Sequence, residues 1–84
     1  MNLYHVSQSQ NDDYDTYSDF VVCAPDEKTA RNTNPYNGKP MTPDDWAQRY
    51  GSWCSGPEHV VVRFVGTAAP EVEPGIVCAS FHAG

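Results

Sequence analysis

Apolar and polar residues alternate through residues 2–8, Asn-Leu-Tyr-His-Val-Ser-Gln, which puts Tyr4 and Val6 on one face of a strand and Leu3 and His5 on the other. Residues 9–16, Ser-Gln-Asn-Asp-Asp-Tyr-Asp-Thr, are too polar and turn-prone to continue it. A second strand is expected at about 17–24, so the pair forms a hairpin with a protruding acidic loop. Pro25-Asp26-Glu27 then reads as a helix start, because proline suits the first turn and carboxylates complement its exposed N–H groups. This helix, about 26–33, has Ala30 as its one apolar residue and sets Glu27 four residues before Arg31 for an ion pair. Asn34-Pro35 ends it.

Residues 34–43 hold three prolines and a glycine and read as loop. Thr42-Pro43-Asp44-Asp45 is a second helix start, with a threonine cap, proline behind it and acids in the first turn. That helix is expected to run to about Tyr50, carrying Trp46, with Trp53 just beyond. Residues 59–66 form the clearest strand, and 76–82 the last one after a loop marked by Pro70 and Pro74-Gly75. The resulting order, β-β-α-α-β-β, predicts an α+β fold: one domain over 1–84, two layers, with a mainly antiparallel sheet of about four strands. The strand order does not follow from the pattern.

Strand 59–66 is apolar on both faces, Val61 and Val65 on one and Val60, Val62 and Phe64 on the other. The helices offer little beyond Ala30, Trp46 and Trp53 to cover them. Either loop aromatics fill the gap or part of a face is covered by another chain, which leaves a homodimer open.

Composition adds bounds. A chain of 84 residues buries only roughly 60–65% of its unfolded surface. Its 39% hydrophobic and 12% aromatic content is nevertheless too rich for a disordered tail. The apolar runs are too short to span a membrane. Met1-Asn2-Leu3-Tyr4-His5 lacks the pattern of a secretory signal, so the host-cell cytoplasm is the expected location. Cys23, Cys54 and Cys78 are odd in number and widely spaced, which suits reduced thiols. Cys23 and Cys78 are expected in the core, and Cys54, between Trp53 and Ser55, is expected to be the exposed thiol. A thiolate metal site with His5, His59 or His82 lacks the close ligand pairs that zinc favours.

Charge changes the picture most. The net charge is −6, and residues 1–27 carry all of it: Asp12, Asp13, Asp15, Asp19, Asp26 and Glu27, with no base among them. Such a field repels nucleic acid and membrane headgroups and steers toward basic partners. Asp12, Asp13, Tyr14, Asp15, Tyr17 and Asp19 are the candidate partner-binding residues, the acids pairing with cationic heads and the tyrosines packing on Arg or Lys stems. Asp26 and Glu27 fit the helix start better. Asp13, Asp15 and Asp19 lack the glycine and terminal Glu of a calcium loop. Cys54 and His59 have nothing to orient them for nucleophilic catalysis, and there is no phosphate loop or paired-carboxylate motif. No enzyme activity, metal or cofactor is expected.

Val6-Ser7-Gln8, Tyr14-Asp15-Thr16-Tyr17-Ser18-Asp19, Val21-Val22-Cys23-Ala24, the helix with Glu27 and Ala30-Arg31, and the ending Cys78-Ala79-Ser80-Phe81-His82-Ala83-Gly84 together resemble a group of small proteins carried by phages and prophages. The resemblance covers most of the chain, least of all residues 36–56, and its motifs carry no chemistry. Some short acidic proteins of that setting are anti-CRISPR inhibitors, and by this resemblance the chain looks like a candidate type I Cascade inhibitor. The resemblance implies a protein that docks on the Lys and Arg rows of a surveillance complex and competes with the DNA backbone. Two other readings stand beside it. One is a small-molecule or nucleotide-binding module using His5, Trp46, Trp53 and Arg63; the other is a self-associating accessory of the virion.

Overall fold

The computed structural model describes residues 1–47 and 51–82. Its strands are β1 (Asn2–Ser7), β2 (Thr16–Ala24), β3 (Val61–Thr67) and β4 (Gly75–His82), and its helices are α1 (Glu27–Arg31) and α2 (Pro43–Ala47). A 3₁₀ turn, Pro57–His59, leads into β3. The predicted continuation of α2 to Tyr50 falls outside the described residues. All pairings are antiparallel, in the order β3-β1-β2-β4, so the hairpin β1–β2 is central and the two later strands add to its flanks.

Alternation sorts the sheet into two faces. Tyr4, Val6, Phe20 and Val22 are buried, with Tyr4 opposite Val22 and Val6 opposite Phe20. Ala30, Met41, Trp53, Cys54 and Val60 close over this face, with Trp46 partly buried against them. Trp53 packs its ring on Phe20 at a centroid distance of 5.3 Å. Trp53 and Trp46 therefore help cover the inner face of the central hairpin, and Val60 and Val62 join it, while Val61, Phe64 and Val65 of β3 remain exposed.

Both helices begin as their sequences dictate. Asp26 caps α1 by accepting from the Thr29 N–H at 2.7 Å, and Glu27 meets Arg31 at 3.1 Å. Thr42 and Asp45 cap α2 reciprocally, Asp45 N–H to Thr42 Oγ1 and Thr42 N–H to Asp45 Oδ2. The single apolar residue of α1, Ala30, is fully buried. Its small side chain lets the helix lie close on the sheet. Arg31 then ties α1 to the start of β3 through the carbonyls of Pro57 and Val60.

Two thiol expectations are corrected. Cys78 is exposed on β4, and Cys54 is buried. Cys54 lies among the residues that close the core, its thiol donating to the Gly56 carbonyl at 3.5 Å, and burial pushes its pKa up. Cys78 stands opposite Val21 in Val77–His82, the exposed stretch of β4. Sequence neighbours alone do not reveal either fact, because both depend on where the layers end.

An acidic loop held by amide side chains

The loop between β1 and β2 is a framed structure rather than a slack connection. Gln8 is buried, and its Oε1 accepts from the Asn11 N–H at 2.8 Å while its Nε2 donates to the Asn11 and Tyr17 carbonyls at 2.7 and 3.0 Å. Asn11 in turn donates through Nδ2 to the carbonyls of Gly51 and Trp53, both at 3.1 Å. Gln10 accepts from the N–H and the hydroxyl of Ser55 and meets His59 Nε2 at 3.0 Å. Gln8 thus braces the loop from within, and Asn11 and Gln10 fasten it to the segment around Trp53. The far end is held by the Asp15 N–H, which donates to the His82 carbonyl.

Asp12, Asp13, Tyr14 and Asp15 form the exposed crest of this frame. Asp12, Asp13 and Asp15 make no ion pair among the described residues. The Asp13 N–H is taken by Asn11 Oδ1 at 3.3 Å, so the turn is set by a side chain from within the loop. Asp15 has φ of 60°, a left-handed conformation that aspartate tolerates better than most residues. Tyr14 is 70% exposed, with one edge of its ring on His82 at 5.3 Å.

The remaining candidates sit elsewhere. Tyr17 is half-buried against the core, packs on Phe81 at 4.8 Å and donates its N–H to the Ser52 carbonyl at 2.8 Å. Asp19 lies on the open face of the sheet, where Oδ2 meets His5 Nε2 at 2.8 Å and Oδ1 accepts from the Ser18 hydroxyl at 2.7 Å. The bond to His5, then that to Ser18, lowers its pKa below the usual carboxylate range. Asp26 and Glu27 are engaged in α1. The negative front third expected from sequence is therefore divided: three acids on the loop crest have no ion pair among the described residues, and three are engaged by neighbouring groups. Gln8, Gln10 and Asn11 carry the frame and were not among the expected residues; the one signal for them is three amides just before an acidic run.

The alternative pocket does not assemble. His5 is paired in register with Arg63 on the open face, whereas Trp53 belongs to the core behind the sheet. The described surface holds an open depression of about 280 Å³ beside α1, lined by Lys28, Thr29, Asn32, Thr33, Gly38 and Pro40, none of which belongs to that set. Among the described residues no three His, Cys, Asp or Glu side chains converge as metal ligands, so the thiolate site does not form there. None of the described helices is long and apolar enough to cross a membrane. No family model, no curated protein and no solved structure matches this chain.

Proposed function

We propose that this chain is a non-enzymatic binding protein that sets its Asp12–Asp15 crest against a basic protein surface. The observation that carries this reading is the pairing of exposure with fixation. Three carboxylates stand in solvent without ion pairs among the described residues, on a loop whose backbone is already held by Gln8, Gln10 and Asn11. A loop ordered before docking loses less conformational freedom on binding, so more of its electrostatic attraction is retained as affinity. Charges of one sign on such a crest also speed encounter with a cationic partner.

A surface that binds nucleic acid presents Lys and Arg at phosphate spacing, and a row of carboxylates competes for the same groups. The phage-protein resemblance names one such surface, the DNA-binding groove of a type I CRISPR surveillance complex, and inhibition of that complex is the function we assign. The test is competition: purified surveillance complex, labelled target DNA and increasing amounts of this protein. Displacement of DNA supports the assignment. DNA binding that is unchanged at saturating protein removes this target.

A further inference from the structure

We propose that Asn37 is a spontaneous modification site, deamidated with water as the co-reactant, and that the turn around it sets the rate. Asn37 is exposed, and Gly38 follows it. The first step is intramolecular. The Gly38 backbone nitrogen, on giving its proton to solvent, attacks Cγ of Asn37; an N–Cγ bond forms, the Cγ–Nδ2 bond breaks, and Nδ2 leaves as ammonia. Water then opens the resulting five-membered imide at one of its two carbonyls, which yields aspartate or a β-linked aspartate. No oxidant or reductant is involved.

The site is singled out by its neighbour. A side chain on the following residue crowds the attacking nitrogen, and glycine has none. Asn2, Asn11, Asn32 and Asn34 are followed by Leu3, Asp12, Thr33 and Pro35, so Asn37 alone has an uncrowded one. The backbone itself calls for that glycine: Gly38 has φ of 73°, in the left-handed region that strains a residue with a Cβ. The residue that makes the turn possible thus also makes Asn37 reactive.

The closed turn opposes the attack. The Gly38 N–H donates to the Asn34 carbonyl at 2.8 Å, which holds the proton that must leave. Asn37 Oδ1 accepts from the Lys39 N–H at 2.9 Å, which fixes the carboxamide. Three more links close the turn. The Tyr36 N–H donates to Asn34 Oδ1 at 2.8 Å, the Asn34 N–H donates to the Lys39 carbonyl at 2.8 Å, and Thr33 bridges to Pro40. The turn lies outside the four-stranded sheet, so it can open without global unfolding. Each opening exposes Asn37 to reaction, and the β-linked product, with its extra backbone carbon, no longer fits the Gly38–Asn34 bond.

Wild-type chain is incubated at one pH and temperature in buffer and in guanidinium chloride. The Asn34→Ala variant, which lacks the acceptor for the Tyr36 N–H, is incubated in buffer once circular dichroism shows it folded. Peptide mass mapping then follows the gain of one mass unit at each asparagine. In denaturant the gain is expected first at Asn37. In buffer it should be slower by about tenfold, the ratio set by how seldom a surface turn opens, with Asn34→Ala between the two. A denatured chain that deamidates first at another asparagine overturns the proposal. So do equal Asn37 rates in buffer and denaturant, a comparison that stands on the wild type alone, and so does a folded Asn34→Ala chain as slow as wild type.

Discussion

Gln8 and Asn11 hold each other reciprocally: the Asn11 N–H donates to Gln8 Oε1 at 2.8 Å and Gln8 Nε2 donates back to the Asn11 carbonyl at 2.7 Å. This pair turns a run of polar residues into a defined crest. Replacing Gln8 by Ala leaves the Asn11 N–H and the carbonyls of Asn11 and Tyr17 without that partner. Leaving partly buried groups unmet costs about 1–3 kcal/mol. Urea unfolding should register this loss, and hydrogen exchange should quicken at Asn11. Undiminished protection at Asn11 would show that the frame does not depend on Gln8.

The elements were legible because their signals are local. Alternation set β1 and β2, and the residues Asp26, Thr42 and Asp45 mark the helix starts by bonds to their own neighbours. The loop frame was not legible, since Gln10 and Ser55 lie 45 residues apart and Asn11 and Trp53 lie 42 apart. Nothing in the immediate sequence says which carbonyls an amide will find. Cys54 and Cys78 exchanged their expected environments for a similar reason. Their burial is fixed by the packing of Trp53 and by the reach of the helical layer, and neither is a property of flanking residues. Phe64 shows the same limit: alternation assigns it to the side of Tyr4, yet it is 63% exposed at the rim.

The core should fail at Phe20. It is 2% exposed and packs against the tilted ring of Trp53, so Phe20→Ala is expected to cost about 3–5 kcal/mol. A domain of this size holds roughly 4–12 kcal/mol in all, and the variant should melt far below the wild type in a thermal scan. A melting point within a few degrees of wild type would mean that this contact is not central.

Acid should weaken the fold. Asp19, Asp26 and Asp45 all have lowered pKa values, through bonds from His5 and Ser18, from Thr29, and from Thr42 respectively. Carboxylates depressed in the folded state stabilise it above their unfolded value of about 3.9, and that contribution is lost as pH falls through the folded values. Stability measured by denaturant should therefore be flat near neutrality with respect to these groups and fall below about pH 4. Asp19→Asn should flatten part of that fall while costing under about 1 kcal/mol at pH 7, because the His5 pair is a third exposed. An identical acid limb in Asp19→Asn would remove the His5 pair from the explanation.

Thiol labelling should separate the cysteines cleanly. Cys78 is exposed, whereas Cys23 and Cys54 are buried at 1% and 3% exposure. Burial raises the Cys54 pKa and lowers its thiolate fraction further. At low protein concentration, maleimide should modify Cys78 first and the other two only on unfolding, as peptide mass mapping will show. Rapid modification of Cys54 in the native protein would contradict its placement.

The central claim is that the loop crest docks by charge. Asp12→Lys and Asp13→Lys reverse two of its acids, and Asp15→Asn removes the third with a residue that accepts the left-handed backbone at φ 60°. Wild-type and triple-variant chains, both shown to be folded, are titrated against the purified surveillance complex between about 50 and 300 mM salt. The wild type should bind and weaken steeply across that range, and the variant should not bind measurably at either end. Equal affinity and equal salt dependence for the two chains would contradict the account.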